Sequence, residues 1–237
     1  MAVLMKQLLI LASALAASCA NPVHTPAWAP PAGLPALAPD APFRGEIMRF
    51  AELDRTSPPP ACPVLFTGSS SIRMWDTLQA DMAPLPVVNR GFGGSSTHHV
   101  NDYFDRVVTR YRPRAIVLYA GENDIDGGRT PAQVLAEVEE FLALKDSRLG
   151  DVPVFYISIK PSKLRSAQFP LQAEANDAIR ALAERREDLH YIDMVPAMME
   201  DGRPRDIYVA DGLHMNDAGY AIWKERVRRA LEREGVG

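Results

Sequence analysis

Four short loops carry the residues that could do chemistry: Gly68-Ser69-Ser70-Ser71, Arg90-Gly91-Phe92-Gly93-Gly94-Ser95, Gly121-Glu122-Asn123-Asp124 and Asp211-Gly212-Leu213-His214. A serine hydroxyl is a poor nucleophile near neutrality unless a base stands beside it and N–H donors receive the charge that forms on the substrate oxygen. Histidine suits the base, because an unperturbed pKa of about 6.5 allows it to take a proton and return it. An aspartate three residues before it can hold the other ring nitrogen. A glycine N–H allows close approach, and an asparagine amide donates without ionising. Each type also has a plain structural use. Serines cap helices, glycines turn chains, Asn123 can close an Asx turn, and Asp211 can cap a helix beginning near Asn216 while His214 lies on the surface.

Other groupings point elsewhere with less support. His98-His99 with Asp102 suggests a metal, but adjacent residues on a helix diverge by about 100° and cannot face one ion, so no metal is expected. Glu122 and Asp124 flank Asn123 and read as loop anchors rather than an acid/base pair. Neither Gly-x-Ser-x-Gly nor a complete Gly-x-Gly-x-x-Gly occurs, so a nucleophile elbow and dinucleotide binding are both unsupported, and no cofactor is expected. Arg73 and Trp75 either reach the mouth of a site or pack on the helix.

The elements needed to position these loops are legible in the periodicity. Apolar runs at 64–67, 87–89, 115–119, 154–159 and 191–193 read as strands, and 3.6-type patterns at 72–80, 97–111, 131–145, 171–186 and 217–234 read as helices. An earlier helix is expected over 43–55, stopped by Ser57-Pro58-Pro59-Pro60. Strand followed by helix, five times, predicts an α/β fold: a five-stranded parallel sheet between two helical layers, a three-layer α/β/α sandwich. Three of the four loops follow expected strands, where the loops of such sheets converge.

A formal charge of -4 with 47% hydrophobic and 24% charged residues excludes a collagen, a disordered acidic tail and a multi-span membrane protein. With 26 basic against 30 acidic residues and no basic block, nucleic acid is not an expected partner. Lys6, the apolar run from Leu8 to Ala17 and the small residues before Cys19 have the order of an export signal over 1–18. Ala16-Ala17-Ser18-Cys19 resembles a bacterial lipobox, which makes Cys19 a lipidation candidate; ordinary cleavage after Ala20 is the alternative. The expected location is therefore the bacterial cell envelope, lipid-anchored on the periplasmic side, or the medium. With Cys19 lipidated, Cys62 becomes a small apolar residue before a buried strand. Seven prolines from Pro22 to Pro42 make 19–42 a tether, leaving 43–237 as one domain.

Together the four loops resemble the SGNH, or GDSL-like, hydrolase family of esterases and lipases, block by block from Leu65 to about Glu225. The resemblance implies a flavodoxin-like sheet and a serine esterase acting on acyl esters of small molecules, lipids or polysaccharides through a covalent acyl-serine. It places the nucleophile at Ser70, the base at His214 and its orienting partner at Asp211. The oxyanion donors would be the Ser70 and Gly94 backbone N–H groups and the Asn123 side chain. Ser69 stands where the family usually has Asp, which implies an altered hydrogen-bond network. A second reading keeps the fold without catalysis, as a cell-envelope glycan-binding module. Acyl-chain length and alcohol depend on loop walls, expected at 161–170 and 201–210.

Overall fold

A computed structural model describes residues 33–236. The expectations for 1–18, for Cys19 and for most of the tether lie outside the described residues. Helix α1 (Arg44–Thr56) leads into β1 (Val64–Gly68), the short α2 (Ser70–Arg73) and α3 (Leu78–Met82), and then β2 (Val87–Gly91). Next come α4 (Thr97–Asp102), α5 (Phe104–Val107), β3 (Ala115–Tyr119), α6 (Glu122–Asp126) and α7 (Pro131–Leu149). The last part holds β4 (Val154–Ile157), α8 (Phe169–Ala183), β5 (Leu189–Ile192), α9 (Val195–Met198), the hairpin β6 (Met199–Glu200) and β7 (Arg203–Pro204), and α10 (Asp217–Arg233).

The main sheet is parallel, in the order β2-β1-β3-β4-β5. The order reverses beside β1, so the loops leaving β1 and β3 open on a crevice at their carboxyl ends. Side chains alternate across each strand and feed two cores. Leu65, Ile116, Leu118 and Tyr156 pack with Phe50, Phe104, Val138 and Phe141 on one face. Phe66, Val117, Tyr119 and Phe155 pack with Trp75, Trp223 and Val227 on the other. The middle strands read as continuous apolar runs because both of their faces are covered.

The differences from expectation lie in the helices. The segment 97–111 is α4, α5 and a 3₁₀ turn at Thr109–Tyr111 instead of one helix. Its residues answer to distant partners: the Asn101 amide donates to the Glu137 carbonyl at 2.9 Å, and the Tyr103 hydroxyl donates to the Pro42 carbonyl. Segment 72–80 divides into α2 and α3, with Trp75 between them buried against Phe66, Tyr220 and Trp223. By contrast α7 begins as its local chemistry requires, with Thr130 and Gln133 in a reciprocal capping box ahead of Pro131. Cys62 is disulfide-bonded, which corrects its reading as an unpartnered apolar residue. Among the described residues no helix is long and apolar enough to cross a membrane.

Candidate active site

β1 ends at Gly68, where φ is +123° and a Cβ would lie 1.9 Å from the Tyr119 carbonyl oxygen, so only glycine lets β1 and β3 stay this close at the turn. The Ser69 amide then donates to that same carbonyl at 2.9 Å, and the Ser69 carbonyl accepts from Ile72 and Arg73. Its side chain makes no capping bond. Ser69 therefore ties the turn together through its backbone, and Ser70 stands at the first position of α2.

The second half comes from the loop before α10. Asp211 Oδ1 accepts the Leu213 and His214 amides at 2.8 and 2.9 Å, folding the loop back on itself. Asp211 Oδ2 lies 2.6 Å from His214 Nδ1, and His214 Nε2 lies 2.8 Å from Ser70 Oγ across 144 residues of chain. Helix α10 is capped by Asn216, whose side chain accepts from Ala218 and Gly219 at 3.0 and 3.2 Å. Asp211 is thus free of the capping role and committed to the ring. Partial desolvation pushes the Asp211 carboxyl up, but the bonds from the His214 ring and the two amides, with the His214 charge, outweigh it and hold the pKa at about 2. Such a carboxylate stays ionised beside the histidine at any pH where the histidine can work.

Two more loops close the crevice. Gly94, with φ of +74°, has no heavy atom within 4 Å of where a Cβ would stand, so its turn is open to an approaching group. The Asn123 amide nitrogen donates to the Ser95 carbonyl at 2.9 Å, and its oxygen accepts from Arg165 at 3.0 Å. Those two bonds fix which end of the amide is the donor and leave its second hydrogen uncommitted. Ser70, Gly94, Asn123 and His214 all line one cleft of about 650 Å³.

Several members of this site have no sequence signature. Lys160, fully buried, donates to Glu122 Oε2 at 3.0 Å and to the Leu213 carbonyl at 2.8 Å, while the Tyr119 hydroxyl donates to the same Glu122 oxygen at 2.6 Å. One buried ion pair therefore joins the Asn123 loop to the Asp211–His214 loop. Asp124 accepts the Gly121 amide at 3.0 Å and the Thr97 amide at 2.9 Å. Glu122 and Asp124, expected on a loop, stand in the first turn of α6 and anchor it. Glu46 of α1 accepts the Gly93 amide at 3.1 and 3.2 Å. Arg73 lines the cleft, whereas Trp75 belongs to the core. Of the two expected walls, 161–170 contributes Arg165, but no residue of 201–210 lines the cleft; Ile207 and Tyr208 pack beneath it in the core.

The rings of His98 and His99 lie 3.9 Å apart, yet their nitrogens serve different partners. His99 Nδ1 accepts the Ser96 amide at 3.1 Å in a capping box, and His98 lies with Asp124 and Glu137, their ligand-type atoms within 4.8 Å of one another. Both Asp124 oxygens are already engaged by backbone amides, and Arg129 Nε stands 3.2 Å from Glu137 Oε1. Burial, then a hydrogen bond and charge from Asp124, push Glu137 up to about 7.

Compared with known proteins, residues 60–222 match the GDSL-like lipase/acylhydrolase family. The platelet-activating factor acetylhydrolase IB subunit alpha1 of Bos taurus is 26% identical over 168 residues, 66% of this chain and 69% of the relative. A GDSL-like lipase from Bacteroides thetaiotaomicron has the same fold with a TM-score of 0.68 at 19% identity, over 79% of this chain and 98% of that one. A carbohydrate esterase family 3 protein from Talaromyces cellulolyticus gives a TM-score of 0.59 at 18% identity, over 72% and 96% of the two chains.

Proposed function

The chain belongs to the GDSL-like lipase/acylhydrolase family, and within the ester hydrolysis that this membership supports we propose a serine esterase that works through a covalent acyl-Ser70 intermediate. The observation that carries the reading is the unbroken line of hydrogen bonds from Asp211 through His214 to Ser70, at 2.6 and 2.8 Å. His214 Nε2 takes the hydroxyl proton as Ser70 Oγ attacks the ester carbonyl. Asp211 keeps the ring in the tautomer that leaves Nε2 free to accept, and stabilises the imidazolium. The oxyanion receives N–H groups from the Ser70 and Gly94 backbones and from Asn123 Nδ2. His214 then gives its proton to the departing alkoxide, and a water activated by the same nitrogen attacks the acyl-enzyme to release the acid.

Labelling tests the assignment directly. An organophosphonate or sulfonyl fluoride should modify Ser70, no label should appear in Ser70→Ala, and His214→Ala should react far more slowly. Equal modification of Ser70→Ala would end it. The inactive glycan-binding alternative finds no observation in its favour, since the hydrogen-bonded trio is complete.

Export to an oxidising compartment is part of the same proposal. The signal-like order at 1–18 and a disulfide bond at Cys62 support it, because structural disulfides persist outside the reducing cytosol.

A further inference from the structure

The charged side chains lining the cleft are Arg49, Arg73 and Arg165 against a single glutamate, Glu46. That imbalance sits in a chain whose net charge is -4, so the crevice is positive in an otherwise acidic molecule. The three arginines differ in what already holds them. Arg165 spends its two terminal nitrogens on Asn123 Oδ1 at 3.0 Å and Asp126 Oδ2 at 2.9 Å. Arg73 lies over the oxyanion turn, where a Cβ on Gly93 would come within 3.1–3.2 Å of its guanidinium, and its Nε is 3.7 Å from Glu46. Arg49 is exposed and has no ion pair among the described residues. It rises from α1 on the same face as Glu46, three residues earlier. This helix precedes residues 60–222, the part that matches the family model.

Among the described residues Leu213 is the single aliphatic side chain lining the cleft, so they form no aliphatic channel in which a long acyl chain could leave water.

We propose that the preferred substrates are short-chain acyl esters whose alcohol portion carries a carboxylate or phosphate, gripped by Arg49 with Arg73 beside the oxyanion turn. The proposal rests on the ester-hydrolase reading above. An anion there gains charge-assisted hydrogen bonds from guanidinium groups whose planar fork fits both oxyanion types. A positive crevice also draws anionic esters in by diffusion.

The test compares three acetates on the wild-type protein, Arg49→Gln and Arg49→Glu: methyl 4-acetoxybenzoate, 4-acetoxybenzoate and 4-acetoxyphenyl phosphate. Each kcat/KM is divided by that ester's own rate with hydroxide, which removes leaving-group differences. At low salt the two anionic esters should exceed the neutral one by roughly tenfold or more. The preference should collapse in Arg49→Glu, shrink in Arg49→Gln, and fade near 1 M salt, where the screening length is about 3 Å. A preference unchanged by either substitution, or an equal rate on neutral and anionic esters, overturns this inference alone. Hydrolysis of none of the three esters, with Ser70 unlabelled, overturns the esterase reading and this inference with it.

Discussion

Glu137 is a carboxyl whose ionisation the surrounding fold resists. Its carboxyl faces Asp124, His98 and Arg129, and its pKa stands at about 7 against an ordinary value of 4.5. A carboxyl raised in the folded state binds its proton more tightly there than in the unfolded chain. Its contribution to stability is therefore fully present below the unfolded value and is lost as pH rises through the folded one. Glu137→Gln keeps a neutral group in hydrogen-bond reach of Asp124 and cannot ionise. Its melting temperature should match the wild-type value near pH 4.5 and exceed it near pH 8. Parallel pH curves for the two proteins would show that the fold does not hold the Glu137 carboxyl protonated. Asp211 runs in the other direction: its pKa of about 2 gives stability present above the unfolded value and lost as pH falls through about 2, and it stays charged throughout this window.

At the scale of elements, the buried Lys160–Glu122 pair clamps three of them together: the end of β3 through Tyr119, the start of α6 through Glu122, and the backbone of the Asp211–His214 loop through Leu213. Burial pushes the Lys160 ammonium down, while Glu122 pulls it back up. Removing one charge of such a pair strands the other in the interior, whereas removing both leaves no unpaired charge there. Lys160→Met should lose about 3–5 kcal/mol in denaturant unfolding, and Lys160→Met combined with Glu122→Leu should recover a large part of that loss. Strictly additive losses would mean that the two side chains do not act as a pair. The same element scale shows where periodicity misleads. The pattern over 97–111 suits one helix, yet Asn101 and Tyr103 satisfy partners on α7 and before α1, and the helix breaks between them.

The whole molecule adds a crevice at the point where strand order reverses, with α1 laid against it from outside the family-matched segment. Export is the proposal that belongs to this scale. Intact mass of the protein recovered from outside the cytoplasm should show residues 1–18 removed. It should also show whether the sulfur of Cys19 carries lipid. Retention of residues 1–18 on the exported protein would refute the signal reading. The five strands, their parallel arrangement and the segments bearing Ser70, Gly94, Asn123, Asp211 and His214 were legible in the sequence alone, because apolar runs, their alternation with helical periodicity, and loop composition are local properties that survive without contacts. Only the tertiary structure decided that Lys160, Arg165, Glu46 and Arg49 converge on those loops. They are single polar residues scattered on different elements, and no spacing along the chain encodes a meeting that depends on how strands stack and which helix covers which edge.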